Sequence, residues 1–422
     1  MTDLTIARFI DKTRMAQFAD GLLVAVAVSV PWSTSATSIL LVVWLIVLIP
    51  TLEWEQLRRE LLTPAGGLPV VLFLLGALGM AWADVTWHER WRGMDGFVRL
   101  LAIPLLMVQF RRSDKGYRVF TGFLISCIVL LVASVIVYFW PNILVRPPGN
   151  TGVPVKTYIV QSLEFTMCVA VLFDLAIARA SQQQWKISVA FTVLAFAFLG
   201  DIFFVTTGRT ALVIIPVLVL FYGFRYSGWK GVLIAGAIGF VVAAIVWTSS
   251  PYTRERVMGI YSETELYEQQ QEATSSGFRI DFWKQSIQFI KSAPLLGHGT
   301  GSIADQFRRA AAGRANGNVF LTSNPHNQTF AVGIQLGFLG IAALWAMWIA
   351  HLMIFRGPGL LTWIGSVIVM SNIIGSLFNS FIFDFTEGWL YVIGFGVVAG
   401  MVRRQNLASR GNDTVTTATA PP

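Results

Sequence analysis

The chain reads as an all-α polytopic membrane protein, with about twelve transmembrane helices and one large helical loop on the outer side. Three observations predict this. Of its 422 residues 55% are hydrophobic and only 13% charged, and the mean hydropathy is positive, +0.63, which is too apolar for a soluble fold. Apolar runs of roughly 15 to 25 residues recur along the chain, each able to cross a hydrocarbon core of about 30 Å with some tilt or local thinning. One polar stretch, 251–324, is too long for a turn and too rich in helical periodicity for a linker.

The predicted spans are 18–32, 38–52, 68–82, 97–110, 119–140, 158–178, 187–205, 210–224, 231–247, 327–355, 360–381 and 388–401. Basic residues set their direction, because Lys and Arg in short loops stay on the cytoplasmic side during insertion. With the N-terminus inside, the cytoplasmic segments collect Arg8, Lys12, Arg14, Arg58, Arg59, Arg111, Arg112, Lys115, Arg118, Arg179, Lys186, Arg225, Lys230, Arg356, Arg403, Arg404 and Arg410. The short outer loops keep only Arg90, Arg92, Arg146, Lys156 and Arg209. Both termini are therefore expected in the cytoplasm and the loop 251–324 outside.

The chain divides into a cytoplasmic N-terminus, 1–17, a membrane domain, 18–404, that includes the long loop, and a tail, 405–422, whose small polar residues predict disorder. The net charge of +8 is mainly a topology signal, so nucleic acid is not an expected partner, whereas membrane lipids are. Cys127 and Cys168 fall within spans and read as packing residues. No cleavable signal peptide is evident, because the first apolar segment lacks a small-residue cleavage site. The absence of a half-and-half repeat weakens a major-facilitator transporter.

Within the loop, 254–273 reads as an exposed helix, 277–292 as an amphipathic one and 302–312 as a short third. Trp283, Ile287 and Ile290 recur at helical spacing, with Arg279 one turn earlier on the same face. Such a helix lies on the membrane surface or caps a cavity; its arginine either snorkels to headgroups or points inward. Pro294 to Gly301, with glycines at 297, 299 and 301, reads as a turn, with an anion-binding nest the weaker alternative, and His298 as a loop histidine.

The candidate chemistry gathers where the loop re-enters the membrane, at Asn324-Pro325-His326-Asn327. Asn324 suits a helix N-cap and Pro325 the first helical position, so His326 is expected in the first turn, where the helix dipole keeps imidazole neutral. The bland alternative is a polar residue marking the end of a span. Arg209 sits in a break of a few residues between two spans, where the inside bias disfavours a cation, so it either snorkels to lipid phosphate or has a function. Asp201 lies two helical turns deeper, Glu164 and Asp174 are the other acids within spans, and each is at least as well explained by a structural ion pair. Arg146 and Lys156 add positive charge in a Pro/Gly-rich outer loop, and Arg99 lies inside a span.

A metal site is not expected: His88, His298, His326 and His351 show no ligand spacing, and no Asp-x-Asp occurs. No cofactor is implied. The tools present, arginines and one histidine, suit glycosyl transfer from a lipid diphosphate. Cations hold the leaving diphosphate and a base takes the proton of the attacking hydroxyl. A transporter for the same lipid would use the arginines but need no base.

At these residues the chain resembles the bacterial O-antigen ligase and polymerase superfamily. The likeness runs through Thr207-Gly208-Arg209, Gly277-Phe278-Arg279, Pro294-Leu295-Leu296-Gly297-His298-Gly299, Pro325-His326-Asn327, Gly333 and Leu336 to Gly340, in that order around one large periplasmic loop. Resemblance to the ligases implies a metal-independent, inverting glycosyltransferase of the Gram-negative inner membrane. It would move O-polysaccharide from undecaprenyl diphosphate to the lipid A-core oligosaccharide in lipopolysaccharide maturation. His326 matches the family's general base, and Arg209 and Arg279 match its arginines for the donor diphosphate; Arg146, Lys156, Asn327 and Asp201 are secondary candidates. An O-antigen polymerase or a protein O-oligosaccharyltransferase would use the same donor. The Arg-x10-Gly spacing common in polymerase outer loops occurs here only on the cytoplasmic side, from Arg111 and Arg225, which favours the ligase.

Overall fold

The computed structural model describes residues 11–143, 152–206, 208–251, 253–255, 257–259, 275–312 and 321–418. All regular structure among them is helical. The helices that matter below are α1 (Lys12–Ser29), α2 (Thr34–Leu48), α3 (Trp54–Leu61), α4 (Pro64–Gly79), α5 (Trp87–Val98), α6 (Ala102–Arg112), α7 (Gly116–Phe139), α8 (Tyr158–Ser181), α9 (Trp185–Phe204), α10 (Arg209–Ser249), α11 (Ser275–Ser292), α12 (Ile303–Ala312), α13 (Gln328–Ile354), α14 (Leu360–Gly375) and α15 (Phe385–Ala418).

Among the described residues, eight helical spans are long and apolar enough to cross a membrane, or nine if α3 and α4, which meet at 82°, count as one. The expected count of twelve differs for identifiable reasons. α1 carries Lys12, Arg14 and Asp20 and is too polar to qualify. α14, with 16 residues, is too short. The apolar segments 210–224 and 231–247 are the two arms of α10, which doubles back at Gly228 (φ 57°), where the backbones of Gly223 and Gly231 touch. α15 continues to Ala418, through most of the stretch whose composition predicted disorder; a helix already nucleated in the membrane propagates at little cost, because each added residue gains a hydrogen bond.

A second reversal shapes the site. Gly337 in α13 has φ 60° and ψ −156°. A Cβ built on Gly340 would lie 2.9 Å from Val332 Cγ1, although eight residues of continuous helix span about 12 Å. Residues 328–336 therefore fold back as a short helix against 338–354. The break interrupts the helical ladder, and the Pro294–Gly301 turn replaces it. His298 N and Gly299 N donate to the Ile334 and Gln335 carbonyls at 2.8 and 2.9 Å, and Phe338 N and Leu339 N donate to the Pro294 and Leu295 carbonyls at 2.7 and 3.4 Å.

Those bonds settle the glycine run as a docking turn. Thr300 N donates to the Gly79 carbonyl and Gly301 N to Gln335 Oε1, so the N–H groups that an anion nest needs are spent. A Cβ on Gly337 would meet the Leu295 carbonyl at 2.5 Å in a conformation that L residues avoid. Gly337→Ala is expected to destabilise the fold by about 2–4 kcal/mol through clash and backbone strain. A thermal melt of the detergent-solubilised variant checks this, and an unchanged midpoint would remove the reversal from the fold's support.

α11 departs from its expected face. Phe282 and Ile290 are buried against Phe307 of α12 and Ala331 and Ile334 of α13, with Phe278 and Phe289 packed alongside, while Ile287 is exposed. The helix packs on protein, so its apolar stripe turns toward α12 and α13. The expected helix 254–273 falls largely outside the described residues.

Candidate functional site

The short helix 328–336 starts one step later than expected. Asn327 is its N-cap, accepting from Phe330 N at 3.1 Å. Asn324 is used differently: its Oδ1 accepts from His326 N at 2.8 Å, closing a turn two residues on. Pro325 is buried inside that turn, and His326 stands outside the helix with φ 54°, in the left-handed region that non-glycine residues rarely occupy. Such strain persists only where the surroundings hold it, and it clusters at functional sites.

Because 328–336 runs back toward Gly337, His326 lies at the far end of a helix of about 13 Å, recessed from the face on which the Pro294–Gly301 turn docks. Its ring stacks on Phe282 of α11, centroids 6.2 Å apart. Its Nδ1 lies 3.0 Å from Asn379 Oδ1, and Nε2 has no hydrogen-bond partner among the described residues. Burial pushes the imidazole below its ordinary 6.5, Arg279 on α11 pushes it further down, and the Asn379 contact pulls it back up. The helix-start argument for a neutral ring was thus misplaced in mechanism, since the ring is not in the first turn; burial and a guanidinium act instead.

The structure brings Arg279 and His326 together through α11. Arg209 is the first residue of α10, and Gly208 before it packs against Ser162 and the Tyr158 carbonyl at the start of α8; a β-carbon at 208 would not fit, which explains the glycine.

Three of the four secondary candidates make hydrogen bonds within the fold. Asn327 caps the short helix and donates Nδ2 to the Leu377 carbonyl at 3.1 Å. Asp201 makes no ion pair among the described residues: it accepts from Ser134, Thr206 and Gln161, tying the Gly152 segment to α7, α8 and α9. Asp174 likewise accepts from Tyr222 and Tyr226. Lys156 donates to the Val30 carbonyl and, at 2.8 Å, to Thr386 Oγ1; burial lowers its pKa while Glu164 and Glu387 oppose the shift. Arg146 lies outside the described residues.

Two of the other histidines are held by hydrogen bonds within the fold. His298 Nε2 lies 2.9 Å from the Phe289 carbonyl. His351 is buried between Tyr391 OH, 2.6 Å away, and the Ala65 carbonyl, 3.0 Å away. His88 is exposed.

Sequence reasoning missed the turn 376–384, which forms the other wall. It is anchored by Gln328, whose N donates to the Ser376 carbonyl at 2.8 Å and whose Oε1 accepts from Ile382 N at 2.9 Å. Buried Arg99 reaches the Asp384 carbonyl from the α5–α6 break, which accounts for the intramembrane arginine. Asp384 itself is pushed up to about 8, by burial and then by Glu387, with Arg99 pulling it down. No periodicity or motif marks this turn.

Residues 194–346 match the family described as O-Antigen ligase. The matched stretch starts within α9, takes in Arg209, Arg279, His298 and His326, and ends within α13. No curated protein matches the chain.

Proposed function

We propose that this chain, which belongs over residues 194–346 to the O-antigen ligase and polymerase superfamily, is an O-antigen ligase. It would transfer O-polysaccharide from undecaprenyl diphosphate to a sugar hydroxyl of the lipid A-core oligosaccharide. The observation that carries the chemistry is His326, a recessed imidazole kept neutral by burial and by Arg279, with Nε2 uncommitted among the described residues. In this reading Nε2 takes the proton of the acceptor hydroxyl as its oxygen bonds to the anomeric carbon. The bond from that carbon to the diphosphate oxygen breaks, and the electron pair leaves with the diphosphate. A single displacement inverts the anomeric centre.

Arg209 and Arg279 are assigned to the diphosphate. Guanidinium presents a planar fork that matches two phosphate oxygens, and its charge stabilises the leaving group most as the bond breaks. The site faces the periplasm of a Gram-negative cell, with both termini in the cytoplasm and the tail beyond Arg404 outside the catalytic domain.

Reconstitution with purified lipid-linked glycan and lipid A-core tests the reading. A joined product is expected with the single lipid A-core acceptor; lengthening of the lipid-linked glycan alone would make the protein a polymerase, and movement of lipid without a new bond a transporter. Because the sequence has no Asp-x-Asp to hold a divalent ion on a diphosphate, EDTA is expected to leave the rate unchanged. Inactivation by EDTA with recovery on Mg²⁺ or Mn²⁺ would overturn the assignment of diphosphate charge to arginines alone.

A further inference from the structure

We propose that Asn379 is the positioning residue for His326: its side-chain oxygen holds the ring as the Nδ1–H tautomer and leaves the Nε2 lone pair facing the site. This rests on the reading of His326 as the base.

The argument runs along a chain of groups that can only donate or only accept. The backbone N–H of His326 is a donor, and it lies 2.8 Å from one side-chain atom of Asn324, which must therefore be the oxygen. Ser380 Oγ reaches the same oxygen at 2.7 Å. The other end of the Asn324 amide is then its NH₂, which can only donate, and it lies 3.0 Å from Asn379. Asn379 must present its oxygen there. That same oxygen lies 3.0 Å from His326 Nδ1, and an amide oxygen only accepts, so Nδ1 carries the proton. A neutral imidazole has one ring proton, hence Nε2 is bare.

The orientation is therefore dictated by a backbone N–H and relayed through two amides, leaving no compensating flip. The relay is rigid. Asn379 N donates to the Gly375 carbonyl at 3.0 Å, closing the end of α14, and the turn beyond it is held by Gln328 and Arg99. The choice of amide matters too. A carboxylate at this position would orient the ring equally well but raise its pKa, whereas asparagine orients without adding charge. Among the described residues, the groups around His326 are Arg279 and the apolar Phe282 from α11, Asn324 from its own segment, and Asn379 from the turn, with Ser380 behind Asn324. Of these only Arg279 is charged.

The sequence has four histidines, so ¹⁵N-histidine labelling with His326→Gln for assignment resolves the ring by ¹⁵N–¹H correlation. Wild-type His326 is expected as Nδ1–H. Asn379→Ala is expected to mix the tautomers and lower kcat by about 10- to 10²-fold with little change in acceptor KM. Asn379→Asp keeps an acceptor for both Asn324 and His326, so it should retain Nδ1–H and recover activity at alkaline pH while the acidic limb of its pH–rate profile moves up. A wild-type ring found as Nε2–H overturns the proposal. So does an Asn379→Ala protein that keeps Nδ1–H and a rate within about twofold of wild type. If His326→Ala transfers normally, the base reading falls and the positioning role falls with it. If His326→Ala is inactive but Asn379→Ala behaves as wild type, only the role of Asn379 is lost.

Discussion

His326→Ala is expected to lower glycan transfer by roughly 10²-fold or more, the usual contribution of a general base, while binding of the lipid diphosphate stays near wild type. The separation follows from geometry: the ring touches Phe282 and Asn379, and the charges assigned to the donor sit on other side chains. The pH profile carries a second signature. Activity requires neutral imidazole, so the rate should fall as pH drops through the ring's folded-state pKa, which burial and Arg279 hold below 6.5. Removing Arg279 deletes one of the two depressing causes, so in any residual activity of Arg279→Ala the acidic limb should lie at higher pH than in wild type. Single-turnover transfer in detergent, with donor binding measured separately, checks both. Wild-type transfer by His326→Ala would end the base assignment. His298, read from the sequence as a loop histidine, and Asp201, a secondary candidate, are already hydrogen-bonded within the fold.

What was legible in the sequence follows the range of the forces involved. Burial of apolar side chains is read from composition over some twenty residues, and each predicted apolar segment contains helix in the structure, although 360–381 gives way to a turn after Gly375. Whether a helix spans, doubles back or stops short depends on single residues such as Gly228 and Gly337, whose positive φ no hydropathy window detects. The start of α13 failed for a local reason. Asn324 and Asn327 are equally good caps, and the choice fell to Asn327 because Asn324 spends its oxygen on His326 N in a turn that buries Pro325. The apolar face of α11 was misread because its partner is protein: Phe278, Phe282 and Phe289 face α12 and α13, and Ile287 is left outside. The proximity of Arg279 to His326 was expected from the family resemblance, not from spacing. Asn379 was out of reach altogether, since it meets His326 from 53 residues away through a turn without periodicity.

Arg209→Ala and Arg279→Ala are each expected to impair transfer more than the corresponding Arg→Lys. Charge alone predicts no difference between Lys and wild type; the fork does, since lysine keeps the charge as a point but loses the paired donors that match two phosphate oxygens. A bond made to the diphosphate as charge develops stabilises the transition state more than the bound donor, so the loss should appear in kcat as well as in donor KM. Paired donors to an ionised partner contribute on the order of 1.5–3 kcal/mol, which sets the expected drop for each alanine variant at about 10- to 10²-fold. The two positions should differ in one respect. Arg279 also lowers the pKa of His326, so Arg279→Ala couples a weaker grip on the leaving group to a stronger base that is protonated at higher pH. Arg279→Lys should largely spare the pH profile, because the positive charge remains near the ring. The imidazole is shifted by burial, Arg279 and Asn379, so variants of Arg209, which opens α10 beside the start of α8, should lose rate without moving the acidic limb. Rates at limiting and saturating donor across pH distinguish these cases. Normal transfer at limiting donor by either alanine variant, in a protein that still melts as wild type does, would remove that arginine from the site.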